Sequence, residues 1–406
     1  MRKFALITAV ASGRLRSAGK DADRVNEVPS IVSAAGRVRQ TWQRALALTL
    51  FLRLAYSLFA AVASLFQAVN WRLVHSNALT ENLPPPDHSL RYLLFGVWER
   101  FDTLWYIHIA VHGYDRPDAV VFFPLFPGLM RILSPLIPPV PAAPLISTVA
   151  AFFLFWGLQE LLMADQPPSL SDRSVLVCAV WPASFIFFAG YPESLLFALI
   201  VWSLSMARRE RWLRAAALGV AAALTKAVGV VVVVPLLIMA LRQSEKLKAL
   251  PVLLVPLGAT AFLQYLHWTT NGTLASAYGQ YWRTSTAAPW TTLWVGVRTL
   301  AHAPNPILVL NLIFLLSVSL LVTRSRLRIE YLLYSAAAIV IFLCKETTPP
   351  LQSVMRYLLI IFPTYAGFAR LLQGPRAQPR FGMACAALFV INLGLLWLFL
   401  GWSLVL

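Results

Sequence analysis

WERFDTLWYIHIAVHGY, residues 98–114, and VFFPLFP, residues 121–127, crowd carboxylates (Glu99, Asp102), histidines (His108, His112) and aromatics into one stretch of an otherwise apolar chain. Apolar runs long enough to cross a bilayer flank it at 44–69 and 141–163, so the stretch belongs to a large connecting segment, 70–140, at a membrane surface. The composition agrees: of 406 residues 59% are hydrophobic and 13% charged, and mean hydropathy is +0.68. Water-soluble domains do not combine such values. The chain reads as an all-α polytopic membrane protein with amphipathic interfacial helices in its first large loop.

Working outward, a bilayer core of about 30 Å asks for roughly 20 apolar residues per helix, fewer where neighbours cover a short one. That ruler marks about eleven spans: 44–69, 141–163, 174–190, 191–207, 212–226, 228–241, 249–268, 307–323, 329–344, 356–373 and 381–404. The third and fourth are joined by AGYPES and the fifth and sixth by KAVG, both tight hairpins. Residues 1–43 carry many Lys and Arg and no long apolar run, which predicts a disordered basic tail ahead of a multispan domain, 44–406. Cys178, Cys344 and Cys385 lie in or beside apolar segments without CxxC spacing and read as core residues.

The net charge of +17 comes from short basic clusters between spans, not from one polar domain, so no nucleic-acid partner is expected. The clusters ARRERWLR (207–214), RQSEKLK (242–248) and RSRLR (324–328) share one side of the membrane with the N-terminal tail. The positive-inside rule makes that side cytoplasmic. Segments 70–140 and 269–306, and the turns at 189–193, 226–229 and 345–355, then converge on the extracytoplasmic face. No internal repeat or pair of matching interrupted helices is apparent.

Within 89–112 the apolar positions Leu93, Leu94, Val97, Trp98, Phe101, Leu104, Trp105 and Ile109 recur at helical spacing and predict an amphipathic helix in the interface. Asp102 lies four residues after Trp98 and four before Tyr106, on the aromatic face, where a carboxylate needs a reason. Pairing with Arg91 or Arg100 is the plainest; a catalytic role is the other.

FDTLWYIHIAVHGY, VFFPLFP, YPESLLFALIVW, LTKAVG and MRYLLIIFPTY occur in this order over roughly residues 44–372, which resembles the PIG-V-like mannosyltransferases, the family of GPI mannosyltransferase II and its bacterial relatives. Phe101 stands where the family usually has Trp, and Lys226 where relatives often have Arg, which keeps the charge and loses the bidentate fork. The resemblance implies a fold-C glycosyltransferase that takes a polyprenyl-phosphate sugar, typically dolichyl- or undecaprenyl-phosphate mannose. It places Asp102 as the catalytic carboxylate of the first outer loop, and it implies an inverting transfer without an obligatory metal or other cofactor.

The residues suit that chemistry. A sugar hydroxyl is a poor nucleophile and needs a carboxylate to accept its proton. The departing phosphate needs fixed cations, and Lys226 and Arg356 sit on the same membrane face as Asp102. Glu193, in YPES, either stabilises a helix start or else orients Lys226 or holds a sugar hydroxyl; Tyr191, Tyr357, Trp105 and His112 are further supporting candidates. The spacing of His108 and His112 could also hold a metal with Glu99 or Asp102, although Glu99 and the two histidines read as scaffold. Arg53, deep in the first span, is expected to face the bundle and pair with Glu160 or another acceptor. Asn271–Thr273 form a glycosylation sequon that matters only in a eukaryote. The expected setting is the bacterial inner membrane, or the endoplasmic reticulum in a eukaryote, with a glycan or lipid acceptor and room for a small membrane subunit. Transfer of arabinose or glucose, and a transporter or flippase, remain alternatives.

Overall fold

The computed structural model describes residues 31–75, 79–80, 86–270, 273–303, 305–374 and 376–403. The chain divides into two compact units, Met1–Gln43 and Arg44–Leu406. Most of the expected basic tail, residues 1–30, lies outside the described residues, as do Asn271 and Gly272 of the sequon. From Ile31 the backbone is already helical, so the first helix, α1 (Ile31–Phe66), begins well before residue 44.

Every expected span holds helix, but their lengths differ. Among the described residues five helical stretches are long and apolar enough to cross a membrane: Gln40–Phe66, Pro139–Met163, Lys246–Thr270, Pro306–Arg324 and Ala377–Leu400. The rest of the bundle is made of shorter pieces. The expected span 174–190 is one such case: its helix, Pro168–Val180, stops before Trp181-Pro182, and a separate turn of 3-10 helix covers Ser184–Phe188. Pro182 has no N–H to continue the ladder, and Ala183 turns the chain in the left-handed region at φ 71°.

Close helix contacts come from small residues. The helices α2 (Pro139–Met163) and α3 (Glu193–Arg208) pack along their length, and a side chain at Gly157 would strike the Trp202 indole, whose Nε1 donates to the Phe153 carbonyl at 2.9 Å. Next comes α4 (Trp212–Thr225), which ends where Lys226 extends the backbone before the turn Ala227–Val232. Gly229 in that turn donates its N–H to the Lys226 carbonyl at 2.8 Å and lies against the Ala222 carbonyl, where a Cβ would collide.

Arg53 faces the bundle as expected, with a different acceptor. It donates to the Phe188 carbonyl at 2.8 Å and lies over the Trp98 ring at 5.2 Å. Glu160 instead meets Arg209 at 3.3 Å, since it sits at the end of α2 that adjoins the basic turn after α3. Inside the bundle, Asn392 donates to Tyr56 at 2.7 Å and Ser184 at 3.0 Å, which satisfies polar groups that lipid could not.

The expected continuous helix over 89–112 is broken. Leu90–Leu94 is helical, Gly96–Trp98 forms a 3-10 turn, and a second helix, α5, runs Asp102–His112. Between them Phe101 adopts φ 48°, a left-handed geometry rare for a bulky residue. Its ring is held 4.5 Å from Trp402 and 5.4 Å from Phe399. Packing thus overrides the periodicity that favoured one helix.

A two-stranded antiparallel ribbon, β1 (Thr284–Thr286) with β2 (Lys345–Thr347), pairs Thr284 with Thr347 and Thr286 with Lys345. It ties the segment after Thr270 to the turn after the helix Ile329–Leu343. Replacing Gly229 by Leu should lower the melting midpoint of the detergent-purified protein, since overpacking of this kind costs about 1–3 kcal/mol; an unchanged midpoint would show that the turn can open.

Candidate active site

Asp102, Lys226, Arg356 and Tyr357 line one cavity of about 600 Å³. Each arrives from a different segment. Asp102 is the first residue of α5, so the helix dipole favours its negative charge. Lys226 caps the C-terminal end of α4, and Glu193 opens α3. Arg356 lies in the short helix Val354–Tyr357.

These groups form one ion network. Arg356 Nη1 meets Asp102 Oδ2 at 2.5 Å, and Arg356 Nε lies 3.4 Å from Glu193 Oε1. Lys226 Nζ meets the same Glu193 oxygen at 2.7 Å. The Arg356 and Glu193 side chains are 6% and 2% exposed, whereas Asp102 retains 22%, so only the aspartate offers its carboxylate to the cavity. Behind it, the Tyr191 hydroxyl accepts the Asp102 backbone N–H at 3.3 Å. Buried charges cost several kcal/mol unless partnered, and Arg356 partners both carboxylates at once.

The remaining expected residues sit at graded distances from the cavity. Tyr191 and Glu193 are buried behind it and hold Asp102, Lys226 and Arg356, without lining the space themselves. Trp105 is one layer back, stacked on Phe122 at 5.6 Å and edge-on to Trp282 at 5.5 Å; both partners are cavity walls. His112 does not line the cavity. Ten residues after Asp102, it lies about 15 Å along α5 at 1.5 Å per residue, exposed beside His108 with ring centroids 4.9 Å apart. His108 meets Asp115 at 2.7 Å, an interaction that holds the Asp115 carboxyl below the usual range. Among the described residues no three His, Cys, Asp or Glu side chains converge in the manner of a metal site.

One cation in the cavity went unread in the sequence. Lys345 opens β2 and donates to the Tyr357 hydroxyl at 3.2 Å. The turn 345–355 could be assigned to the same face as Asp102, but a lysine at the end of an apolar run looks like an ordinary interface anchor. The other walls are apolar or neutral: Val121, Phe122, Val228 and Phe342 on one part, Thr284, Ser285 and Thr286 on another. Cys344 also lines the cavity, while Cys178 and Cys385 are buried; all three are free thiols.

Three chain segments run between this site and a basic end. α3 leads from Glu193 to Arg208, α4 from Arg211 to Lys226, and the helix Ile329–Leu343 from Arg328 to Lys345. At that far end Arg208 binds Asp165 at 2.7 Å, and Glu330 accepts from both Arg242 at 3.1 Å and Arg328 at 2.7 Å.

The same arrangement of helices is seen in ArnT from Cupriavidus metallidurans bound to undecaprenyl phosphate, with a TM-score of 0.50, 14% identity, and coverage of 83% of this chain and 63% of that one. The apo form of that protein aligns at a TM-score of 0.49 and 15% identity over the same shares. The fold is that of the fold-C glycosyltransferases. The chain spans 63% of the length of ArnT. No protein-family model and no curated protein matches its sequence.

Exchanging Arg356 for Met leaves two carboxylates beside a single lysine, a loss of about 3–5 kcal/mol for a broken buried pair. Its melting midpoint should fall, and adding Asp102→Asn should restore part of the loss; strictly additive effects would show that the two side chains do not interact.

Proposed function

We propose that this protein is an inverting glycosyltransferase that moves mannose from a polyprenyl-phosphate mannose donor to a hydroxyl of a lipid-linked or membrane-associated acceptor. The observation that carries the reading is the Asp102 carboxylate, one oxygen held by Arg356 and the other side open to a cavity that also holds cations. The choice of mannose rests on the resemblance of the ordered motifs to PIG-V-like enzymes. The polyprenyl phosphate is supported by the lipid named with the structural neighbour ArnT.

In this reading the acceptor hydroxyl attacks the anomeric carbon on the side opposite the phosphate. Its proton passes to Asp102 as the new C–O bond forms, and the bond from the anomeric carbon to the phosphate oxygen breaks with its electron pair going to polyprenyl phosphate. A β-linked donor therefore gives an α-mannoside. Proton acceptance by a positioned carboxylate contributes about 10²–10⁴ in rate. The apolar wall formed by Val228, Ile341 and Phe342 suits the prenyl chain, and the cationic part suits the phosphate. A cavity of about 600 Å³ has room for a sugar and the group it is passed to.

The basic ends of α3 and α4 lie away from the site, which under the positive-inside rule supports the reading that Asp102 works at the extracytoplasmic face, in a bacterium that of the inner membrane. Charges gathered at one end of the bundle fit a site there better than a conduction path through the midplane.

Purified protein reconstituted with radiolabelled polyprenyl-phosphate mannose and membrane lipid acceptors should transfer label. Asp102→Asn should reduce the rate about 10²–10⁴-fold with the melting curve still cooperative. Undiminished transfer removes Asp102 as the base. Transfer from a glucose or arabinose donor, with none from mannose, corrects the sugar.

A further inference from the structure

Four charged side chains line the cavity: Asp102, Lys226, Lys345 and Arg356. Behind it stands Glu193. Arg356 and Lys226 are committed to the two carboxylates at 2.5 and 2.7 Å. Lys345 forms no ion pair among the described residues. Its neighbour Glu346 does not line the cavity, as alternation along β2 requires.

What holds Lys345 is aromatic. Its ammonium donates to the Tyr357 hydroxyl at 3.2 Å, and lies 5.0 Å from the centroid of the Tyr357 ring and 5.1 Å from that of Tyr278. Tyr357 also has Lys226 Nζ 4.1 Å and Arg356 Cζ 5.3 Å from its ring centroid. Three cations thus surround one phenol. A carboxylate at this position would cancel the charge of Lys345; a phenol and two ring faces hold it and leave the charge in place.

We infer that Lys345 is the cation that meets the phosphate of the donor, and that Tyr357 is its positioning residue, keeping the ammonium away from Asp102 and Glu193. This inference rests on the reading given above. It revises the expectation that Lys226 and Arg356 bind the phosphate: their charge is already spent on Asp102 and Glu193. With Lys345 counted, the network has three cations to two carboxylates, and an entering phosphate brings the negative charge that matches the third. The same arrangement protects the base, because a lysine paired with the open side of Asp102 would occupy the place of the acceptor hydroxyl.

The test is binding of undecaprenyl phosphate, without sugar, to the full chain in lipid nanodiscs. Lys345→Ala and Lys345→Gln should each weaken binding about tenfold or more, the range for a lost hydrogen bond to a charged group, while Lys345→Arg stays within a few-fold of the wild type. Tyr357→Phe should weaken it several-fold in the wild-type background and have no further effect on Lys345→Gln, the mark of a residue acting through another. Wild-type strength in Lys345→Gln, or a Tyr357→Phe effect undiminished in the Lys345→Gln background, overturns the inference alone. A wild type that does not bind undecaprenyl phosphate overturns the functional reading as well.

Discussion

The end of the bundle that holds the site depends on one guanidinium. Arg356 reaches Asp102 with one nitrogen and approaches Glu193 with another, and Glu193 in turn holds Lys226. Carboxylates buried to this degree need partners at a few ångströms, because desolvation costs more than a distant charge returns. Residues 102, 193, 226 and 356 therefore come together as a set. The loop after α1, the start of α3, the end of α4 and the short helix Val354–Tyr357 are positioned by the same few contacts.

That network also divides labour among like-charged groups. Glu193 is fully enclosed and serves the other charges, whereas Asp102 begins a helix at the cavity edge. The left-handed turn at Phe101 is what brings it there. In a continuous helix over 89–112 the aspartate would sit in mid-helix, without the exposed N-terminal N–H groups whose dipole favours its charge. The aromatic contacts of Phe101 with Phe399 and Trp402 compensate the backbone geometry. The last long helix, Ala377–Leu400, and the turn after it thereby bear on a residue almost three hundred positions earlier.

Much of this was legible in the residues. Apolar runs and basic clusters placed most helices, and topology alone grouped Asp102, Glu193, Lys226 and Arg356 at one end. Local signals failed where a distant partner decides. The break before Asp102 is invisible to helical periodicity, since Trp98, Phe101 and Trp105 keep their spacing on either side of it. Strands as short as Thr284–Thr286 and Lys345–Thr347 are too brief to show an alternating pattern, so nothing local marks Lys345 as a cavity residue. His112 drew attention through its motif, and helix geometry carries it away from the cavity.

The order of apolar and polar segments was enough to determine a helical membrane protein with its polar residues gathered at one end, because the bilayer admits few other solutions for a chain this apolar. Tertiary structure decided which charges are used up and which remain. Whether a lysine faces a carboxylate or a tyrosine depends on a few ångströms between segments that only the folded chain brings together, and no spacing along the chain encodes that. Lys226 falls on Glu193 and Lys345 on Tyr357, and this difference in partner sets the charge that the cavity presents.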